Sequence, residues 1–196
     1  MVTLVWGTHT LPLYWELLDH VGNSNLRTQK RVLKIALTVL KHYPTLVIGD
    51  REFHSPKLAE WLDQRGVYFA LRQKKDFHFQ QHPGDEYGVL KDQGFKPGMS
   101  QFYVGIRGNK GDGLGPFNLA VYWKRKYRKK GPKDPWYILT NLPTLKQTLK
   151  IYRCRWGIEQ FFKDCKTGGY HLEDTKVNDR RFLALVVVIV LAYSLA

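Results

Sequence analysis

The sequence predicts an α/β fold carrying a β-rich insertion, and three observations lead there. Short β-branched and aromatic runs alternate with amphipathic helical stretches. One apolar run, residues 46–48 (LVI), feeds directly into Gly49 and Asp50 and then a helix start. Residues 74–135 change character to glycines, prolines, aromatics and short alternating runs such as FYVGIR and FNLAVYWKRKYRKK. At 196 residues the chain can bury a real core. One folded unit with an elaboration is expected, with residues 1–73 and 136–196 as core and 74–135 as the insertion.

In order, residues 3–6 and 11–15 are strand-like runs separated by Gly7 and His9, which suggests a hairpin. Asn23 and Ser24 read as turn or cap residues. Over residues 26–42, Leu26, Val32, Leu33, Ile35, Ala36, Val39 and Leu40 recur at helical spacing among Arg27, Lys30, Arg31 and Lys34. Pro44 ends that helix, and the buried strand at residues 46–48 follows. Ser55-Pro56 has the form of an N-cap with proline at the first helical position, opening a helix over 57–64 that Gly66 stops. Residues 67–71 (VYFAL) are the next strand. Asp50 therefore sits where a buried strand ends and a helix begins, the usual place for ligands in an α/β sheet. After the insertion, residues 136–140 (WYILT) form a strand, Pro143-Thr144 opens a long helix to about residue 166, and a last helix runs from Asp179.

The charge narrows the partner. With 31 Lys+Arg against 17 Asp+Glu the formal net charge is +14, on a chain that is 43% hydrophobic and hence foldable. A surplus of this size favours a polyanion, nucleic acid ahead of anionic membrane. The densest cluster is Lys124, Arg125, Lys126, Arg128, Lys129, Lys130 and Lys133, interleaved with Trp123 and Tyr127. Its plain reading is a solvated hairpin; its functional reading, favoured by the aromatics and the net charge, is contact with a DNA backbone. Cys154 and Cys165 are too far apart along one helix to bridge, and reduced cytoplasm is the natural compartment. No signal peptide opens the chain, and the apolar run at residues 182–196 is too short to span a membrane, so it reads as a buried helix. The chain opens on a strand-like TLVW and stops inside that apolar run, so a fragment of a longer protein is expected.

One helix carries the chemistry. Tyr152, Arg155, Glu159 and Lys166 have the spacing Y-x2-R-x3-E-x6-K. At about 100° per residue they fall at roughly 0°, 300°, 340° and 320°, with Lys163 near 20°. Cys154, Ile158, Phe161 and Cys165 fall on the opposite, packing arc. The alternative to a site is a solvated face with i,i+4 ion pairs such as Arg155 with Glu159, each contributing about 0.3–0.5 kcal/mol. Four such types at four fixed positions match by chance about once in a thousand chains of this length, which favours the site.

These residues, with Gly49-Asp50-Arg51-Glu52, LPLYW, WYILTNL and the run from Tyr152 to Asp174, resemble the insertion-sequence transposases of the DDE class, whose signature is this helix. The resemblance extends over nearly the whole chain. It implies an RNase H-like catalytic fold, incomplete at the N-terminus, with the β-rich subdomain inserted between the second and third acidic residues. Asp50 would be the second carboxylate and Glu159 the third, both metal ligands. The implied reaction is cut-and-paste transposition, with phosphodiester hydrolysis and strand transfer assisted by two Mg2+ ions, Mn2+ being the alternative. Hard cations prefer oxygen ligands, which fits carboxylates rather than His or Cys. The resemblance further implies that Tyr152, Arg155, Lys166 and the neighbouring Lys163 bind DNA phosphates, and that Trp136 stacks an extruded base. A strand tryptophan is more commonly a core residue. Implied partners are double-stranded transposon ends, target DNA and a second copy of the chain when assembled on DNA, in a cytoplasmic, nucleoid-associated protein without a membrane partner.

The sequence departs from the family in one respect. The first aspartate belongs on a strand upstream of Thr3, and Asp19, past the hairpin at the edge of a turn, is a poor substitute. Residues 1–196 alone are therefore expected not to cleave DNA. Glu52 reads as an ion-pair partner rather than a ligand, and the role of Arg51 stays open. The competing readings are a non-catalytic nucleic-acid-binding remnant of a transposase and an RNase H-like nuclease acting on RNA.

Overall fold

A computed structural model of the chain describes residues 1–6, 9–17, 22–125, 131–166 and 172–195. In chain order the strands and helices are β1 (Val2–Trp6), β2 (His9–Tyr14), α1 (Leu26–Val39), β3 (Leu46–Gly49), α2 (Pro56–Asp63), β4 (Tyr68–Arg72), β5 (His78–Gln80), β6 (Gly88–Val89), β7 (Ser100–Gly108), β8 (Leu114–Tyr122), β9 (Trp136–Thr140), α3 (Leu145–Arg153), α4 (Trp156–Lys166) and α5 (Asp179–Leu195). The class is the mixed α/β, RNase H-like one expected. The chain forms two compact units, one of Met1–Lys41 with Cys154–Ala196 and one of His42–Arg153.

In the first unit β1 and β2 form the expected antiparallel hairpin, with Leu4 opposite Leu11 and Val5 opposite Thr10. Asn25, rather than Asn23 or Ser24, caps α1, its Oδ1 accepting from Thr28 N at 2.9 Å. The helix turns Val32, Leu33 and Ala36 inward. It stops at Val39, short of Pro44, because the Leu40 N–H makes the last bond, to Ala36 O at 3.1 Å. The core of this unit gathers Phe161 and Cys165 of α4, Leu172, and Val186 and Ile189 of α5, with Met1 and Trp15 packed on it. So the final apolar run is a helix that turns part of its surface into a protein core. Burial pushes the Cys165 thiol up, while Cys154 is exposed.

The second unit is built on a seven-stranded sheet in the order β3-β4-β9-β8-β7-β5-β6. β3 and β4 run parallel, and β4–β9–β8–β7 continue antiparallel. The β-rich segment supplies β5 to β8, and β8 joins them to the rest by pairing with β9, Val121 opposite Tyr137 and Asn118 opposite Thr140. Side chains alternate across the pleat. Ala70, Ala120 and Ile138 meet Tyr152 of α3 on one face. Phe69, Leu71, Leu119 and Leu139 point the other way, toward α2, whose Leu58, Ala59 and Leu62 are fully buried. β3 differs from its reading as a fully buried strand. It is an outer strand of this sheet, paired on one side only, and Leu46, Val47 and Ile48 are half-buried.

One polar cluster ties the hairpin to α1. Tyr14 donates to Glu16 Oε1 at 2.8 Å, and Arg31 donates to Glu16 Oε2 at 2.5 Å. The Arg31 guanidinium and the Tyr14 hydroxyl hold the Glu16 carboxyl below its ordinary range. A carboxyl lowered in the folded state contributes stability above its unfolded pKa and loses it as the pH falls through the folded one. Acid titration of thermal unfolding from about pH 6 to about pH 3 should therefore lower the melting temperature more in wild type than in Glu16→Gln. Parallel curves for the two proteins would remove this cluster as a source of acid sensitivity.

Candidate functional site

Asp50 stands at the carboxyl end of β3, and the glycine before it makes the turn possible. A Cβ on Gly49 would lie 2.7 Å from Phe53 Cβ and 2.8 Å from Leu71 Cδ2, so no side chain fits there. With the backbone pressed against Leu71 and Phe53, the chain leaves the sheet as a single 3-10 turn, Arg51–Phe53. Asp50 caps that turn, Oδ1 accepting from Glu52 N at 2.9 Å, while the residue stays exposed. The carboxylate is thus oriented by its own backbone and open to solvent. Arg51 pairs with Asp134 at 3.0 Å, which brings the residue after Asp50 to the residue two before Trp136. The backbone N–H of Glu52 serves Asp50.

The long helix expected from Thr144 to residue 166 is two helices. α3 ends at Arg153 and α4 begins at Trp156, and the bonds at the join, Gly157 N to Cys154 O and Ile158 N to Arg155 O, both 3.2 Å, span three residues instead of four. Gly157 is the physical reason. It lies against β2 so closely that a Cβ there would sit 2.1 Å from Thr10 Oγ1. A glycine in a helical pattern is the signal that marks such a close approach, and it went unused in the helix reading.

The break disperses the common stripe. Tyr152 closes α3 with 1% exposure, its ring edge-on to Trp136 at 5.0 Å between centroids, in the core of the His42–Arg153 unit. Trp136 is half-buried, flanked also by Tyr122 at 5.8 Å. Arg155 and Glu159 belong to the other unit and form an i,i+4 ion pair, Arg155 the more buried partner. Lys163 is exposed one turn further on. Lys166 is the last residue of α4, and its side chain lies outside the described residues. Cys154, expected on the packing arc, is exposed because it falls in the join. In the basic run, Lys124 and Arg125 are exposed after β8, whereas Lys126, Arg128, Lys129 and Lys130 lie outside the described residues, as does Asp19. Trp156, with 66% of its surface exposed, is a large side chain that the spacing did not single out. Among the described residues no group of three or more His, Cys, Asp or Glu stands ready to hold a metal.

Compared with known families, residues 2–195 match the transposase DDE domain. The chain belongs to that family. No curated protein matches it. As a DDE transposase domain it acts on DNA in the transposition of mobile elements, and transposases of this kind depend on divalent metal. No helix among the described residues of this transposase domain is long and apolar enough to cross a membrane.

Because the Thr10 contact breaks the signature helix, Gly157→Ala should act against ordinary helix propensity. Alanine in a helix favours stability over glycine by about 1 kcal/mol, but the overlap with Thr10 should cost about 1–3 kcal/mol. A lower denaturation midpoint is expected for Gly157→Ala, with recovery in Thr10→Ala/Gly157→Ala. A higher midpoint in the single variant would show that the contact does not govern the join.

Proposed function

We propose that the domain cleaves and joins phosphodiester bonds at transposon ends with Asp50 and Glu159 as two of the three carboxylates that hold Mg2+, or Mn2+ in its place. What supports this is the match of residues 2–195 to the transposase DDE domain, together with Asp50 exposed and backbone-capped at a strand end and Glu159 exposed within the Y-x2-R-x3-E-x6-K spacing. Both offer hard oxygen donors, which suits Mg2+, and two bound ions would activate the attacking oxygen and stabilise the leaving one. The third carboxylate is expected on a strand upstream of Thr3 and has no counterpart among the described residues.

Each side chain of the chain itself then has a part. Asp50 presents Oδ2, since Oδ1 is engaged with Glu52 N. Glu159 is held by Arg155, whose guanidinium gains a second partner when a DNA phosphate arrives. Lys163 and Lys166 add phosphate contacts along α4, and Lys124 to Lys130 meet the backbone outside the cleavage point. Tyr152 serves from the core, through its contact with Trp136, which is the candidate to stack a displaced base. Assembly with a second copy on the paired ends, cytoplasmic and nucleoid-associated, completes the reading.

In a chain that supplies the upstream aspartate, Asp50→Asn and Glu159→Gln should each lower Mg2+-dependent strand transfer on the order of 10³-fold, as loss of several kcal/mol of metal-borne stabilisation requires. Full activity in either variant would sink the assignment. Separately, Arg155→Ala should weaken binding to end DNA and reduce the slope of log affinity against log salt by about one. An unaltered slope would leave Arg155 as a partner of Glu159 and nothing more.

A further inference from the structure

We infer that the outer face of α1 is a further DNA-contact surface, on which Arg27, Lys30 and Lys34 hold the phosphate backbone of duplex DNA of any sequence. It does not depend on which residues bind metal; the partner, DNA, is the one on which the family acts.

Charge on α1 is one-sided. Between Asp19 and Asp50 the sequence holds no Asp or Glu, but it holds Arg27, Lys30, Arg31, Lys34 and Lys41. At about 100° per residue, Arg27, Lys30 and Lys34 fall within an arc of roughly 60°, opposite the inward Val32, Leu33 and Ala36. Arg27 and Lys34 are exposed and Lys30 is half-buried. Their neighbour Arg31 is taken by Glu16, which ties to the hairpin the helix that carries the other three. Among the described residues Arg27, Lys30 and Lys34 form no ion pair.

This placement works against the electrostatics of the helix itself. An ordinary solvated face mixes signs, with acids toward the N-terminus and opposite charges four residues apart. Here Arg27 stands in the first turn, where the positive end of the helix dipole repels it, and Lys30 and Lys34 are like charges at i,i+4. Both effects weaken the helix, and a polyanion lying along this face offsets both. The spacing suits a DNA strand. From Arg27 to Lys34 the helix rises about 10 Å, against about 3.4 Å of duplex axis per phosphate of one strand, so three long side chains reach two or three successive phosphates. A membrane surface fits less well, because a helix of that kind lies on its apolar face and the apolar face of α1 is buried in its unit. Phosphate contacts carry no base information, which is why any sequence serves.

The test is binding of residues 1–196 to two unrelated mixed-sequence DNA duplexes over a range of salt, with thermal unfolding in parallel. Arg27→Gln/Lys30→Gln/Lys34→Gln should reduce the slope of log affinity against log salt by about two to three, at about 0.9 per phosphate contact. Both duplexes should weaken by the same factor, on the order of 10²-fold at about 0.1 M salt. The melting temperature should hold or rise, because like-charge repulsion is relieved. Lys75→Gln/Lys91→Gln/Lys110→Gln removes the same charge from exposed positions of the other unit and should change the slope by less than about one. The surface is overturned if wild type binds neither duplex, or if the α1 variant keeps the wild-type slope. It is overturned equally if the second variant matches the first, which would make net charge the whole effect, or if the α1 variant melts lower, which would assign the cations to the fold. Loss of binding to phosphatidylglycerol vesicles with DNA binding intact would give the face to a membrane instead.

Discussion

The contact of Gly157 with Thr10 decides what the signature helix can present. A backbone with no Cβ can approach a strand side chain far more closely than any other residue allows, and here the approach leaves no room for even a methyl group. An unbroken helix would carry Tyr152 and Glu159 on one stripe. With the join at Cys154 and Arg155, α3 is free to sink Tyr152 into the sheet of one unit while α4 keeps Glu159 at the surface of the other. The same four letters of the motif thus serve two purposes, a core aromatic on one side of the join and a solvent-facing ion pair on the other.

Arginine governs the acids that matter. Glu16 is taken by Arg31, Asp134 by Arg51 and Glu159 by Arg155. In a protein with a net charge of +14, each such pair sets a carboxylate against one of many cations, and for Glu16 the pairing holds the carboxyl below its ordinary range. For Glu159 this has a functional side. A guanidinium beside a carboxylate is also a donor suited to phosphate. Asp50 is held differently, by a backbone N–H of its own turn.

Much of this was legible in the sequence because local patterns control it. The hairpin, the strand WYILT, the start of α5 at Asp179 and the turn at Gly49-Asp50 all follow from alternation, apolar runs and turn residues, which act over a few positions. What stayed hidden depends on distant partners. Periodicity continued the signature helix through Gly157, since nothing near it in sequence announces Thr10. β3 read as buried because an apolar LVI run looks the same in an outer strand as in a central one. The ion pair of Arg51 with Asp134 joins residues 83 apart and has no local trace. Motif spacing singled out Asp50 and Glu159 as candidates, whereas the burial of Tyr152 and the exposure of Trp156 required the fold.

The sheet explains why Asp134, so far along the chain, meets the residue after Asp50. β3, β4, β9 and β8 are neighbours in one ladder, with Ile48 opposite Ala70, Ala70 opposite Thr140 and Ile138 opposite Ala120. The strand that ends in Asp50 and the two strands that flank the loop are therefore parts of one hydrogen-bonded element with a packed helix on each face. Hydrogen bonds shared across such a ladder resist independent movement of its strands. The strands of the insertion extend this sheet, and the Arg51–Asp134 ion pair links the turn after β3 to the segment just before β9.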